Sequence, residues 1–247
     1  MVRRIYRYSL WVALLLLTSC GGGIDSHVYK DLKSEDANKR AGAVTRLAGM
    51  TDKRDTVVPL LLKAVDDESA EVAEAAVGAL AAFPDPSEKC VETLAAAAAT
   101  GSTWRLRQTA LETLAGVAPA HEKSLEAMKT CLEDADLLVA IKAANKLMAA
   151  GATADAAAEI GAVVKRAVEE RVKAGGAGPF NAGDILLGLA EQGSEAAGAV
   201  DALQQAQQVP NISRRLKSAI AAVIQVVAGQ GSVDQVHAQL NSLAESM

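Results

Sequence analysis

Residues 103–117 read TWRLRQTALETLAGV, and variants of this stretch recur on both sides of it. Leu114 shares a register with Leu47, Leu80 and Leu147, at spacings of 33, 34 and 33 residues. Four residues before each leucine stands an alanine: Ala43, Ala76, Ala110 and Ala143. Three before stand Val44, Val77, Leu111 and Ala144, and seven before stand Arg40, Ala73, Arg107 and Ala140. A small residue, an apolar one and a leucine at i, i+1 and i+4 fall on one stripe of an α-helix. Recurrence of that stripe at a fixed period predicts a solenoid, in which each unit buries its apolar face against its neighbours.

Composition agrees with an all-α class. Half of the 247 residues are hydrophobic, yet only 3% are aromatic. The apolar content is mostly alanine, leucine and valine, and no segment sustains period-two alternation. Alanine and leucine have high helix propensity, and small residues let helices approach closely.

The first nineteen residues are set apart from the fold. Arg3, Arg4 and Arg7 form a basic start, and residues 10–17, LWVALLLL, form an apolar run of eight. A spanning helix needs roughly 20 such residues, so the run reads as the core of a signal peptide. Leu17-Thr18-Ser19-Cys20 follows. It resembles the lipobox of bacterial lipoproteins, which implies cleavage before Cys20 and a diacylglycerol on its sulfur. The alternative is an ordinary signal peptide that contains a cysteine. Gly21, Gly22 and Gly23 would then form a short leash of at most about 14 Å, holding the repeats close to the bilayer. Position 21 is Gly where the family's inner-membrane members often carry Asp. The resemblance therefore implies the periplasmic face of the outer membrane over the inner membrane. The expected organisation is residues 1–19 as signal, 20–23 as anchor and leash, and 24–247 as the solenoid.

Loss of residues 1–19 removes three arginines and no acids, taking the formal charge from −5 to −8. So acidic a domain is a poor partner for nucleic acid, which requires a basic field. Cys90 and Cys131 lie 24 and 16 residues before the leucines of their repeats. The offset of eight corresponds to about 12 Å along neighbouring helices, too far for a disulfide. Two buried thiols are expected.

Each of the first four repeats reads as two helices, with the second helices at about 36–49, 70–83, 103–117 and 136–150. Asp85-Pro86-Ser87-Glu88 looks like a capping box that starts at Asp85, and Ser69 is a candidate cap. Gly151 ends the regular array. Helices at about 153–173, 181–192, 194–208 and 212–228 follow on a looser period, interrupted by the glycine-rich loop 175–179. A last amphipathic helix, 232–246, is suited to cover the open end of the stack.

The second helices resemble HEAT repeats, in which an Asp in the turn precedes Val-Arg and then Ala and Leu at helical spacing. Leu106, Arg107, Ala110, Leu111 and Leu114 carry the pattern, as do Arg40, Ala43, Val44 and Leu47. The resemblance implies a right-handed superhelix whose second helices line the concave side, with Asp and Arg linking successive repeats as a ladder. Ala73 and Ala140 stand where Arg is expected, and residues 101–103 replace the turn Asp, so the ladder is incomplete and alanine packing must carry more of the contact.

No catalytic constellation is legible. His27, His121 and His237 are too dispersed for a shared metal site. Gly176-Ala177-Gly178 lacks the strand and the Lys-Ser/Thr of a phosphate loop. No metal, cofactor or catalytic residue is expected. The expected function is a membrane-anchored, non-enzymatic scaffold that binds another envelope protein. An enzyme or small-molecule carrier, such as a lyase, on a HEAT-like frame is the alternative, and a self-associating structural protein is a third reading. The candidate partner face is Trp104, Arg105, Lys142, Lys146, Arg214 and Arg215. The four basic residues, on the helices at 136–150 and 212–228, could meet an acidic partner or serve only solubility. Trp104 could anchor an interface or plug the core between repeats.

Overall fold

A computed structural model describes residues 23–176 and 182–244. The signal residues 1–19, Cys20, Gly21 and Gly22, and residues 177–181 and 245–247 lie outside the described residues. The described residues contain no strand. Four helical pairs come first: α1 (Ser26–Asp31) with α2 (Ala37–Ala48), α3 (Arg54–Val65) with α4 (Ala70–Leu80), α5 (Glu88–Thr100) with α6 (Trp104–Val117), and α7 (Glu122–Cys131) with α8 (Leu137–Ala149). Then come α9 (Ala157–Lys173), α10 (Gly183–Gln192), a 3-10 stretch Gly193–Ala199, α11 (Val200–Gln207), α12 (Arg214–Val227) and α13 (Val233–Ala244). The chain is an all-α solenoid.

Its spine is the layer α2, α4, α6, α8, α10 and α12, each packed on the next. The periodic stripe faces inward along this layer: Ala43, Val44, Leu47, Ala76, Val77, Leu80, Ala110, Leu111, Leu114, Ala143, Ala144 and Leu147 are all buried. A single apolar core runs from Val28 to Leu243. Side chains with no polar atoms to satisfy are what such a core requires. α13 seals the far end on α10 and α12, burying Val236 and Leu243.

The helix starts correct two sequence expectations. α5 begins at Glu88 with Ser87 as its cap, not at Asp85, and Ser87 Oγ accepts from Cys90 N at 3.3 Å. Asp85 sits at φ 57° in a left-handed turn. The Arg54 guanidinium donates to the carbonyls of Pro84 and Asp85, which holds this turn outside the helix. Ser69 does not cap α4 with its side chain. Its N–H instead donates to Asp67 Oδ1 at 2.9 Å, because Asp67 organises the turn. At the start of α13, Ser232 N donates to Gln235 Oε1 at 3.3 Å, one half of a capping box.

Beyond Gly151 (φ 73°) the pairing changes. α9 lies on α8, on the 3-10 stretch and on α11. A Cβ at Gly161 would stand 2.9 Å from Ala199 O and 3.0 Å from Ala202 Cβ. One at Gly198 would stand 3.1 Å from Ala157 Cβ. Helix backbones approach this closely only where side chains are absent or minimal.

Candidate functional site

The joints between repeats position the exposed face. Arg40 is 7% exposed. Its Nε and Nη2 donate to the two carboxylate oxygens of Asp67 in the next repeat, each at 2.8 Å. Its Nη1 donates to the carbonyls of Ser34 and Glu35 in its own turn, at 2.8 and 3.0 Å. Arg107 repeats the arrangement, with Nε and Nη2 on Asp134 at 2.6 and 2.8 Å and Nη1 on the carbonyl of Gly101 at 2.9 Å. A planar guanidinium fork matched to a carboxylate fixes both distance and angle between helices. Hydrogen bonds from Arg40 outweigh burial and hold the Asp67 carboxyl below the usual range. Burial alone would raise Asp134, but hydrogen bonds from Arg107 and from the Asp136 N–H hold it down.

Asp67, Gly101 and Asp134 each lie 13 residues before the leucine of their repeat. Two of the departures from the ladder, Ala73 and Gly101, are therefore the two halves of one joint, between the second and third repeats, while Ala140 stands in the last regular repeat. No acid could stand at 101 as the chain is folded, since a Cβ there would lie 2.5 Å from the carbonyl of Ala97. This joint uses a neutral contact: buried Thr113 Oγ1 donates to the carbonyl of Val77 at 3.3 Å.

An open groove of about 1340 Å³ runs across the starts of α4 and α6 and the turn before α8. Glu71, Glu74, Trp104, Arg105, Thr109 and Asp136 line it. Thr103 Oγ1 accepts from Leu106 N at 3.1 Å and so starts α6 with Trp104 at its first position. Trp104 does not plug the core; it is 40% exposed. The Arg105 guanidinium carbon lies 5.3 Å from its ring centroid, within cation–π range. Leu138, at the Arg105 register of the next repeat, is 45% exposed.

The six residues proposed from sequence do not form one patch. Trp104 and Arg105 line the groove. Lys142 turns to Glu112, at 2.7 Å, which holds that carboxyl below the usual range. Lys146 is half-buried on the same helix. Arg214 and Arg215 begin α12, two steps further along the spine, and Arg215 Nη1 donates to the carbonyl of Ser242 at 3.1 Å. Glu71 and Glu74 belong to the groove and were not singled out in the sequence; the Arg105 register carried back one repeat leads to Glu71. No cluster of three or more His, Cys, Asp or Glu that could hold a metal occurs among the described residues. Cys90 and Cys131 are buried free thiols, as the register predicts. Cys131 Sγ donates to the carbonyl of Ala98 at 3.3 Å, and burial pushes its thiol up to about 12, which leaves it inert.

Comparison with known proteins agrees with the repeats. A family model described as HEAT repeats matches residues 27–115. The match covers the first repeats of the α-helical solenoid. Among solved structures, the designed armadillo repeat protein YIII(Dq)4CqI is similar, at a TM-score of 0.41 and 19% identity, covering 81% of this chain and 98% of that chain. No curated protein matches this sequence significantly.

Proposed function

We propose that this protein is a lipid-anchored, non-enzymatic scaffold of the bacterial cell envelope that binds another envelope protein in the groove around Trp104. The observation that carries the reading is an exposed Trp–Arg pair in an open groove spanning three repeats. Trp and Arg are the residue types most enriched at interface hot spots, and large exposed aromatics are otherwise scarce on this surface. The rigid Arg–Asp joint beside the groove presets its shape, which lowers the ordering cost of binding. Lys142, Lys146, Arg214 and Arg215 extend the candidate face beyond the groove. No described helix is long and apolar enough to cross a membrane. Attachment in this reading comes from acylation of Cys20, at the periplasmic face of the outer membrane.

A photo-crosslinking side chain at Arg105, tested in native membranes, should give a discrete protein adduct that weakens in Trp104→Ala. The same probe at Thr130, on the first-helix layer, should give none. Equal adducts from both positions would refute the groove. Palmitate labelling should depend on Cys20, and retention of label in Cys20→Ala would refute the anchor.

A further inference from the structure

The charge of the solenoid is unevenly distributed. Residues 24–65 carry eight Lys or Arg and six Asp or Glu, whereas residues 66–247 carry fourteen and twenty-four. The first repeat and a half is thus formally +2 and the rest −10. Within the basic end, Lys30, Lys33 and Lys63 are exposed and pair with no carboxylate among the described residues. Two of them converge. Tyr29 of α1 and Lys33 of the turn that follows it meet Lys63 of α3 around a cavity of about 130 Å³, which the Arg40–Asp67 pair also lines. Asp67 is already neutralised by Arg40 at 2.8 Å, so it does not oppose an incoming anion in full. Tyr29 is 37% exposed, the arrangement of an amphipathic ring at a water–lipid boundary. Lys53 Nζ donates to the carbonyl of Gly23 at 3.2 Å, which ties the end of the glycine leash to this same end of the solenoid.

We infer that the outer surface of α1 and α3 docks on an anionic phospholipid surface, with Tyr29 at the interface and Lys30, Lys33 and Lys63 on headgroup phosphates. The inference rests on the lipid-anchor reading, since the tether brings this face to the bilayer. Its chemistry is electrostatic attraction of clustered lysines to an anionic leaflet, supported by one aromatic side chain. The acidic remainder is repelled by the same surface, so docking by this end points the groove of α4, α6 and α8 away from the lipid.

The test uses the unacylated chain from Gly21 onward, mixed with phosphatidylglycerol-containing vesicles or with pure phosphatidylcholine vesicles. Binding should be confined to the anionic vesicles and fall about tenfold or more on raising salt to about 0.5 M. The triple variant Lys30→Glu, Lys33→Glu, Lys63→Glu should bind on the order of a hundredfold more weakly. Tyr29→Ala should weaken binding a few-fold at either salt. A control variant with the same change in net charge elsewhere, Lys89→Glu, Lys129→Glu, Lys173→Glu, should bind as the parent does. The inference is overturned if both triple variants lose binding equally, if neutral vesicles bind equally well, or if millimolar inorganic phosphate releases the chain. Loss of palmitate labelling would sink the tether and leave the vesicle result standing, so the two failures are distinguishable.

Discussion

The first four repeats and the segment after Gly151 solve one packing problem in different ways. In the first, helices are spaced by buried forks: Arg40 on Asp67 and Arg107 on Asp134. In the second, α9 closes on the 3-10 stretch and on α11 over Gly161, Gly198 and Ala202. A fork fixes an angle and leaves room beneath it for side chains, so the layer can open into a groove. Small-residue contact leaves no such room, because its stabilisation lies in the closeness of the approach. The groove around Trp104 lies in the forked half. It opens at the starts of α4 and α6, whereas Ala73 and Gly101 of the joint without a fork line a separate cavity.

The comparison can be broken most directly at Arg107. Arg107→Ala leaves the buried Asp134 carboxylate without its partner and should cost about 3 kcal/mol, read from urea unfolding of the first four repeats. Adding Asp134→Leu should recover most of that loss, since an apolar pair in place of a buried ion pair is often neutral. A loss under about 1 kcal/mol for Arg107→Ala would show that the fork does not hold the joint. Next in size is Gly161→Ala, which should cost about 2 kcal/mol by forcing α9 from the backbone at Ala199. Peptide-resolved hydrogen exchange should show faster exchange in residues 157–207 and none of the change in α2 or α4.

Acid sharpens the comparison further. Asp67 and Asp134 sit below the ordinary carboxylate range in the folded chain. Their contribution is therefore present above the unfolded value, about 3.9, and is lost as pH falls through the lower folded values. Trp104 emission, which reports on the forked repeats, should change as pH drops below about 4. In Arg107→Ala with Asp134→Leu that transition should shrink. The smallest effect is expected at Gly188. A Cβ there would meet Met148 Sδ and Cε at 2.9 and 2.8 Å, the mobile end of a flexible side chain. Gly188→Ala should stay within about 0.5 kcal/mol of the parent, because the gain in helix propensity offsets the shift of Met148.

Much of the fold was legible because a solenoid is a one-dimensional object. The leucine register located the second helices of all four regular repeats and separated Cys90 from Cys131. It also exposed the slip beyond Gly151. The site was less legible. Lys142 looks like a free cation until Glu112, one repeat away on the adjacent helix, is seen beside it. Asp85 fits a cap until the guanidinium of Arg54 is seen holding its carbonyl. In both cases the deciding partner comes from another helix or repeat, and a residue-by-residue reading has no distance between them.

The sequence by itself determined the class, the period and the face each repeat buries. Those follow from helical periodicity and from the exclusion of unpartnered polar groups from a core. It also contained the paired departures from the ladder at Ala73 and Gly101, beside a further one at Ala140. Only the tertiary structure decided that Ala73 and Gly101 are two sides of one joint, that Trp104 stands open beside it, and that Tyr29, Lys33 and Lys63 surround one cavity. Periodicity fixes which way a side chain points along its own helix. Which residue of the next repeat it faces depends on the offset between helices, and that offset is set by forks, glycines and turns acting together.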